Sequence, residues 1–338
     1  MKSLIQSKNP KLIQKALESN YSAWGAPSLT LEEYFERESY LASSKFSKES
    51  LISWFLVDSD SPEDILSSCE TYRIPCLLST NDGIVKGFCF AIGSVYTPTQ
   101  HRRKGYASEM MKLLQNTLKS FKDSVASTLY SDIGRDFYAN LGWKVHPSKS
   151  LVLDQLNTIP SFEVSSIIPL TVDTARKLIE DEESQFLNQF KSLDKPRFAI
   201  IPTVNELEWL FNRGLFYSRV GKYKREDQIK SIGIATSSND GYLTWSHSFK
   251  EGILYITMIQ CTSANSKMLL LSAISEALKF GLEKVEIWNP SEDLVNAASS
   301  ISKHFHVIDR TDSLSSLAVW GQEDSELEWV RNEKYAWV

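Results

Sequence analysis

The stretch that decides the fold is Val95-Tyr-Thr-Pro-Thr-Gln-His-Arg-Arg-Lys-Gly-Tyr-Ala-Ser-Glu-Met-Met-Lys-Leu-Leu114. An apolar run ends here at a proline and passes through a basic turn that contains Gly105. Residues 84–95 are rich in Val, Ile and Phe, which indicates a buried strand. The residues after the turn predict a helix to about Ser120, because apolar side chains recur at helical spacing at Ala107, Met110, Met111, Leu114 and Leu118. The stretch therefore predicts a strand, a loop and a helix in direct succession.

Such a junction is suited to holding a phosphate group. The first N–H groups of a helix have no partners within the helix, and the helix start carries a partial positive charge. Gly105 and the small Ala107 allow a ligand to approach the backbone closely. Arg102, Arg103 and Lys104 add positive charge beside them.

Two motifs resemble the GNAT superfamily of N-acetyltransferases. Residues 102–107, Arg-Arg-Lys-Gly-Tyr-Ala, match its R/Q-x-x-G-x-G/A signature, whose loop binds the pyrophosphate of acetyl-CoA in that family. Residues 136–143, Asp-Phe-Tyr-Ala-Asn-Leu-Gly-Trp, are similar to its F-Y-x-x-x-G-F/W motif. The resemblance implies acetyl-CoA as cosubstrate. It also implies a cofactor loop formed by Val95, Tyr96, Thr97, Arg102, Arg103, Lys104, Gly105, Tyr106, Ala107 and Ser108.

The resemblance also implies roles in acetyl transfer. In the family, a backbone N–H where the central strand splays from its neighbour holds the thioester carbonyl, which corresponds here to residues 93–95. The tyrosine of the second motif, here Tyr138, faces the sulfur. A phenol has an ordinary pKa of ~10 and is a proton donor at pH 7, so Tyr138 is a candidate general acid. The alternative is that Tyr138 is a core aromatic beside Phe137.

The general base is harder to assign. The central strand, residues 88–94, contains no carboxylate. Asp132 and His146 are near in sequence and can equally be structural or exposed, while His101 belongs with the phosphate loop. The chain also resembles two-domain relatives, the N-myristoyltransferases and the Eis-type aminoglycoside acetyltransferases, in which a C-terminal carboxylate enters the site as base. This implies Val338 as a candidate base. The alternative is that the aromatic tail, residues 327–338, only packs against the rest of the protein.

The chain length of 338 residues favours two domains. The second half repeats the order long strand, helix, strand over residues 252–288. Its strand-to-helix junction, Cys261-Thr-Ser-Ala-Asn-Ser-Lys267, has no glycine and one basic residue, so it is poorly suited to a pyrophosphate. We therefore predict an α/β fold with mixed sheets, built as tandem GNAT-like domains. Residues 1–155 form the catalytic acetyl-CoA-binding domain, and residues 156–338 form a second domain without a cofactor loop that ends in an aromatic tail.

Composition narrows the classes of partner and compartment. Lys plus Arg is 37 and Asp plus Glu is 42, and the net charge of −5 argues against general nucleic-acid or anionic-membrane binding. The four cysteines show neither a zinc spacing nor a disulfide framework, so no metal is expected. No apolar run approaches the ~20 residues of a spanning helix, and the N-terminus lacks the apolar core of a secretory signal. We expect a soluble cytoplasmic, or nucleocytoplasmic, protein.

The acceptor is predicted by resemblance alone. The length, the tandem layout, the segment 67–73 and the Val95-Tyr-Thr-Pro form of the loop are similar to the fungal lysine N6-acetyltransferase family, which implies a small amine, free lysine, as acceptor. A lysine pocket needs carboxylates for the ammonium groups and an arginine for the α-carboxylate. A protein or peptide acceptor and a non-catalytic acetyl-CoA-binding module remain alternatives. Candidates for the charged groups of a lysine pocket are Glu32, Glu33, Asp58, Arg197 and Arg213.

Several local expectations complete the prediction. Residues 21–27 are predicted as a loop over the acceptor site, in which Tyr21 and Trp24 either line the pocket or anchor a helix end. Residues 60–69 are predicted as a turn and a short helix. Asn81-Asp-Gly83 indicates a hairpin turn, and the acidic run 180–183 indicates a solvated helix face.

Overall fold

The computed structural model describes residues 1–80, 83–160, 162–163, 166–190, 195–225, 228–321 and 327–338. The strands are β1 Lys2–Gln6, β2 Leu51–Asp58, β3 Ser61–Thr80, β4 Gly83–Tyr96, β5 Ser124–Ser131, β6 Lys144–Val145, β7 Lys149–Leu153, β8 Ile167–Leu170, β9 Arg197–Ile200, β10 Gly233–Thr236, β11 Tyr242–Ser248, β12 Ile253–Gln260, β13 Lys284–Trp288, β14 Phe305–Asp309, β15 Leu314–Val319 and β16 Glu328–Trp329. The helices are α1 Pro10–Trp24, α2 Leu31–Ala42, α3 Lys45–Ser50, α4 Tyr106–Ser120, α5 Asp136–Ala139, α6 Val172–Gln189, α7 Val204–Tyr217, α8 Ser266–Lys279 and α9 Glu292–Ile301.

The first sheet has the order β1-β2-β3-β4-β5-β15-β6, and β9 and β16 extend it beside β3. β3 is long enough to pair with β2 along its first part and with β9 along its last part, on the same edge. β4 pairs with β3 antiparallel and with β5 parallel. The parallel pair requires a crossover, and α4 supplies it.

The predicted apolar face of α4 packs on this sheet. Met110, Met111, Leu114 and Leu118 are fully buried. They share a core cluster with Phe90 and Ile92 of β4. The opposite face of β4, at Cys89 and Ala91, packs with α7 instead. The sheet therefore separates α4 from α7.

The second sheet repeats this arrangement. Its order is β14-β7-β13-β12-β11-β10-β8, with β12 and β13 parallel and α8 between them in sequence. The predicted repeat is present, and the predicted α/β fold of two mixed sheets is confirmed.

The two sheets exchange a strand. β7 precedes residue 155 but pairs with β13 and β14 in the second sheet. β15 comes from the later part of the chain but pairs with β5 and β6 in the first sheet. The division at residue 155 therefore stays a prediction, and each sheet is completed by the other half of the chain.

Two local predictions were wrong. Residues 60–69 do not form a turn and helix, because β3 runs through them. Its small residues Ser67 and Ser68 lie buried between β2 and β4, and the Ser67 hydroxyl donates to the backbone oxygen of Tyr96, 3.0 Å away. Pairing with two neighbouring strands thus outweighs a weak local pattern. The start of the loop predicted over residues 21–27 is also wrong, because α1 continues to Trp24 and only residues 25–27 form a turn.

Two other local predictions fall wholly or partly outside the described residues. The hairpin turn was predicted at Asn81 and Asp82, which are not described. In the acidic run, Glu180 is exposed, whereas the side chains of 181–183 lie outside the description.

Candidate active site

A wedge opens between β4 and β5 where their pairing ends. The last parallel pair is Ile92 with Leu129. Just beyond it β4 carries one extra residue relative to β3, since Glu70 pairs with Gly93 but Ser68 pairs with Tyr96. Such a bulge bends its strand. The predicted splay around residues 93–95 therefore has a local cause.

The loop after β4 leads directly into the start of α4. Arg102 braces it, because Nε donates to the Thr97 backbone oxygen at 3.1 Å and Nη2 donates to the Tyr96 hydroxyl at 3.2 Å. Arg103 and Lys104 are exposed. Gly105 precedes the helix with a φ of 81°, and a Cβ built there would meet nothing within 4 Å. The helix start is therefore open, and every predicted cofactor residue lies at this one junction.

A cavity of about 290 Å³ lies beside the wedge. It receives residues from both halves of the chain, including α1, α2, β3, β4, β5, α5, α7 and the tail. Trp24 lines it, with its ring 5.6 Å from that of Tyr96, whereas Tyr21 donates to the Leu29 backbone oxygen. The cavity residues with chemical interest are Glu38, Glu70, Tyr138, Arg213, Trp337 and Val338.

Glu70 is the site residue that the sequence analysis missed. It lies on β3 opposite Gly93, and its Oε2 accepts a hydrogen bond from the Ser94 hydroxyl at 2.9 Å. Burial and, to a smaller extent, the nearby Glu38 carboxylate raise the pKa of Glu70, whereas the Ser94 hydrogen bond and Arg37 lower it, and the net pKa is about 7. One signal was available, because Glu70 is the only charged residue between Ile65 and Tyr72. The prediction of a turn and helix before it obscured that signal.

Tyr138 lies on α5 and reaches the same cavity. It is 7% exposed, and its ring meets Phe137 edge-on at 4.9 Å. Burial raises the pKa of Tyr138 above its ordinary value, with smaller contributions from Cys69 and Asp132. The phenol is therefore protonated at neutral pH. Its role as general acid stays a prediction.

Of the other candidate bases, Val338 and Asp132 line the cavity, and the two histidines do not. The backbone oxygen of Val338 lies 3.2 Å from where a Cβ on Gly93 would be, so Val338 is in the wedge, and its role as base stays a prediction. Asp132 lines the cavity, but its Oδ1 accepts from the backbone N–H of Ser313 at 2.9 Å. His146 and His101 do not line this cavity. Burial lowers the pKa of His146 to about 4, and His101 contacts Asp64 at 3.2 Å.

Of the five charged residues considered for a lysine pocket, only Arg213 lines the cavity. Glu33 caps the start of α2, and Asp58 lies near the N-terminal amine. Arg197 pairs with Glu328 at 2.9 Å.

The second half contains an equivalent wedge. The last parallel pair of β12 and β13 is Ile256 with Ile287. Three residues further, the backbone N–H of Ile259 donates to a carboxylate oxygen of Glu333 at 3.0 Å. Arg331 pairs with Glu333 at 2.6 Å. The tail of the chain therefore contacts this wedge through Glu333, and a cavity of about 710 Å³ lies between the two.

The fold and the first wedge define an acetyltransferase of the GNAT type. A family model described as the LYC1 GNAT-like C-terminal domain matches residues 152–338, more than half of the chain. The chain therefore belongs to the LYC1 GNAT-like family. The resemblance inferred from the two motifs is confirmed, as is the prediction of an N-acetyltransferase.

Relatives and solved structures agree with this assignment. A "Lysine acetyltransferase" of Yarrowia lipolytica is 25% identical over 353 residues, covering 89% of this chain and 88% of the relative. An uncharacterized protein of Saccharomyces cerevisiae is 25% identical over 97% of this chain and 96% of its own length. A probable N-acyltransferase from Enterococcus faecalis has a TM-score of 0.61 at 14% identity, over 94% of this chain and 73% of its own. A tandem GNAT protein from the clavulanic acid biosynthesis pathway has a TM-score of 0.52 at 12% identity, over 96% and 100%.

None of the helices in the described ranges is both long enough and apolar enough to span a bilayer.

Proposed function

We propose that the protein is an acetyl-CoA-dependent N-acetyltransferase that acetylates the side-chain amine of free lysine. The observation that carries this proposal is a half-buried carboxylate, Glu70, and a buried phenol, Tyr138, that line one cavity at the wedge. The name of the Yarrowia lipolytica relative supports lysine as acceptor. Acetyl-CoA supplies the acetyl group as an activated thioester.

The loop residues fit acetyl-CoA. The open space above Gly105 leaves room for a pyrophosphate at the start of α4, where N–H groups without helical partners are available. Arg103 and Lys104 are exposed there and supply positive charge. Arg102, by contrast, is occupied in bracing the loop.

Glu70 is suited to act as general base. An amine attacks only when it is neutral, so a proton must leave the acceptor ammonium. A carboxyl with a pKa of about 7 is partly ionised at neutral pH and still basic enough to take that proton. The Ser94 hydroxyl holds the Oε2 atom and so orients the carboxylate.

Tyr138 is suited to act as general acid. Its hydroxyl proton passes to the sulfur as the carbon–sulfur bond breaks, and the phenol is reprotonated from water. Among the described residues none hydrogen-bonds this hydroxyl. The proton is therefore not committed to another group.

The test is a CoA-release assay with free amino acids, polyamines, aminoglycosides and peptides. We expect turnover with lysine, and we expect Tyr138→Phe to lower kcat by about 10²-fold because proton transfer contributes that much. The matched control is Tyr40→Phe, which also loses a hydroxyl but does not line the cavity.

The other outcomes identify the alternatives. Turnover confined to peptides indicates a protein acetyltransferase. Acetyl-CoA binding without turnover, in wild type and variant alike, indicates a non-catalytic module. The absence of a carboxylate from the central strand, residues 88–94, favours such a module, and Glu70 on the neighbouring strand β3 weakens that argument.

A further inference from the structure

Arg213 is a cation that lines the cavity, and no carboxylate of the described residues lies within ion-pair distance of it. It lies on α7, which packs tightly against β11, since a Cβ on Gly214 would be 2.8 Å from the backbone oxygen of His247. The guanidinium carbon lies 5.3 Å from the ring centroid of Trp337, which supports one side of it. Both residues line the cavity. The rigid helix and the ring therefore hold the guanidinium at the cavity wall.

A second arginine in the same cavity shows what a paired cation looks like here. Arg37 pairs with Glu38, with Nε donating at 2.8 Å, and its Nη1 donates to the Tyr217 hydroxyl at 2.7 Å. No carboxylate of the described residues lies within ion-pair distance of Arg213. Burial and the nearby Arg37 lower the pKa of Arg213, yet a guanidinium stays charged at neutral pH. Its charge is compensated when an anionic ligand enters.

The anionic group belongs to the acceptor and not to CoA. The phosphate loop and α4 lie on the face of the first sheet that carries Phe90 and Ile92. α7 lies on the opposite face, with Cys89 and Ala91. A guanidinium forms two parallel hydrogen bonds to a carboxylate. An α-carboxylate on the acceptor matches this geometry.

We propose that Arg213 binds the α-carboxylate of the acceptor and so selects free α-amino acids over amidated or peptide-bound ones. This inference rests on the proposed function. Arg213 is then a specificity-determining residue, and the amine at the far end of the side chain is left to reach Glu70.

The experiment combines one substitution, Arg213→Gln, with one change of substrate, from lysine to lysinamide. KM and kcat are measured for lysine and for lysinamide, which keeps both amines but lacks the carboxylate. We expect Arg213→Gln to raise KM for lysine about 100-fold, as expected when one partner of a buried ion pair is removed, and to leave lysinamide unchanged. The control is Arg219→Gln, an exposed arginine just after α7, which should change neither.

Each remaining outcome is decisive. If Arg213→Gln raises KM equally for both substrates, or weakens acetyl-CoA binding by a similar factor, the inference is wrong. If no amine is acetylated by the wild type, the proposed function fails separately, and equilibrium binding of lysine and lysinamide to wild type and Arg213→Gln still decides the inference. It survives only if lysine alone loses affinity.

Discussion

The two parallel strand–helix–strand units of this chain share a fold and differ in chemistry. β4, α4 and β5 form the first, and β12, α8 and β13 form the second. In both, the central strand carries a bulge just past the last parallel pair and separates from its neighbour. In the first unit, Gly93, Ser94 and Val95 then line a cavity. In the second, the matching backbone N–H, that of Ile259, is taken by Glu333.

The comparison shows which residues set the fold and which set the site. The fold needs only apolar strands and an apolar helix face, which both units have. The first unit has an open helix start beside its wedge. Asn265, which precedes α8, accepts from the Thr262 backbone N–H at 2.8 Å and donates to the Asp240 backbone oxygen at 3.0 Å, so its side chain closes the second junction. One tail reaches both wedges, through Glu333 and Val338.

The largest expected effect is on acetyl-CoA binding, and it distinguishes the start of α4 in the first unit from α8 in the second. Gly105→Glu introduces a negative charge where a pyrophosphate is expected, and like charges in contact cost several kcal/mol, so acetyl-CoA binding should weaken ~10³-fold. The matched control is Gly281→Glu at the far end of α8, where the glycine also has a positive φ, of 65°, and open space. Isothermal titration with acetyl-CoA measures both variants. Equal losses would mean that backbone strain, and not the site, explains the effect.

The next prediction compares the carboxylates at the two wedges, Glu70 at the first and Glu333 at the second. Glu70→Gln should lower kcat by ~10²-fold, because the proposed base is lost. Glu333→Gln should retain most of the activity, since an amide oxygen still accepts the N–H of Ile259. Steady-state kinetics with lysine distinguishes them. Comparable losses in both variants would remove the distinction between an active wedge and one that the tail contacts through Glu333.

Some parts of the site could be predicted from the sequence and others could not. The loop and α4 were predicted because one continuous stretch carries the strand, the glycine and the helical spacing. Glu70 was not predicted, and Arg213 was one of five candidates that the sequence could not rank. Each reaches the cavity only through contacts distant in sequence, Glu70 through the pairing of β3 and Arg213 through the packing of α7. The exchange of β7 and β15 was equally hidden, since strands of 5 and 6 residues carry no local mark of the sheet they join.

The pH dependence of the rate follows from Glu70. A base must be deprotonated, and burial raises the pKa of Glu70 to about 7, so kcat/KM should rise with pH and level off above pH 7. The residual kcat/KM of Glu70→Gln should no longer show this rise with pH. A profile from pH 5 to 9 tests it. A rise that persists in the variant would assign the base to another group.

Stability should respond to pH in the opposite sense. The folded state binds the Glu70 proton more tightly than the unfolded state, whose pKa is about 4.5. Binding of this proton therefore stabilises the folded state fully below pH 4.5, and this stabilisation is lost as the pH rises to about 7. The loss in the free energy of unfolding is at most ~3 kcal/mol. Glu70→Gln should be more stable than wild type at pH 8, with the difference shrinking towards pH 5 in urea unfolding. A difference independent of pH would contradict the raised pKa.

The smallest effect concerns the second wedge alone. Glu333→Ala leaves the buried N–H of Ile259 without its side-chain acceptor and removes a carboxylate that pairs with Arg331, which should lower the free energy of unfolding by ~1–3 kcal/mol. The control is Glu328→Ala in the same tail, where the pair with Arg197 is half-exposed and should contribute ~0–1 kcal/mol. Urea unfolding at one pH measures both. If the two variants lose the same small amount, Glu333 does not hold the tail at the second wedge. The contrast between the units would then rest on the cofactor loop alone.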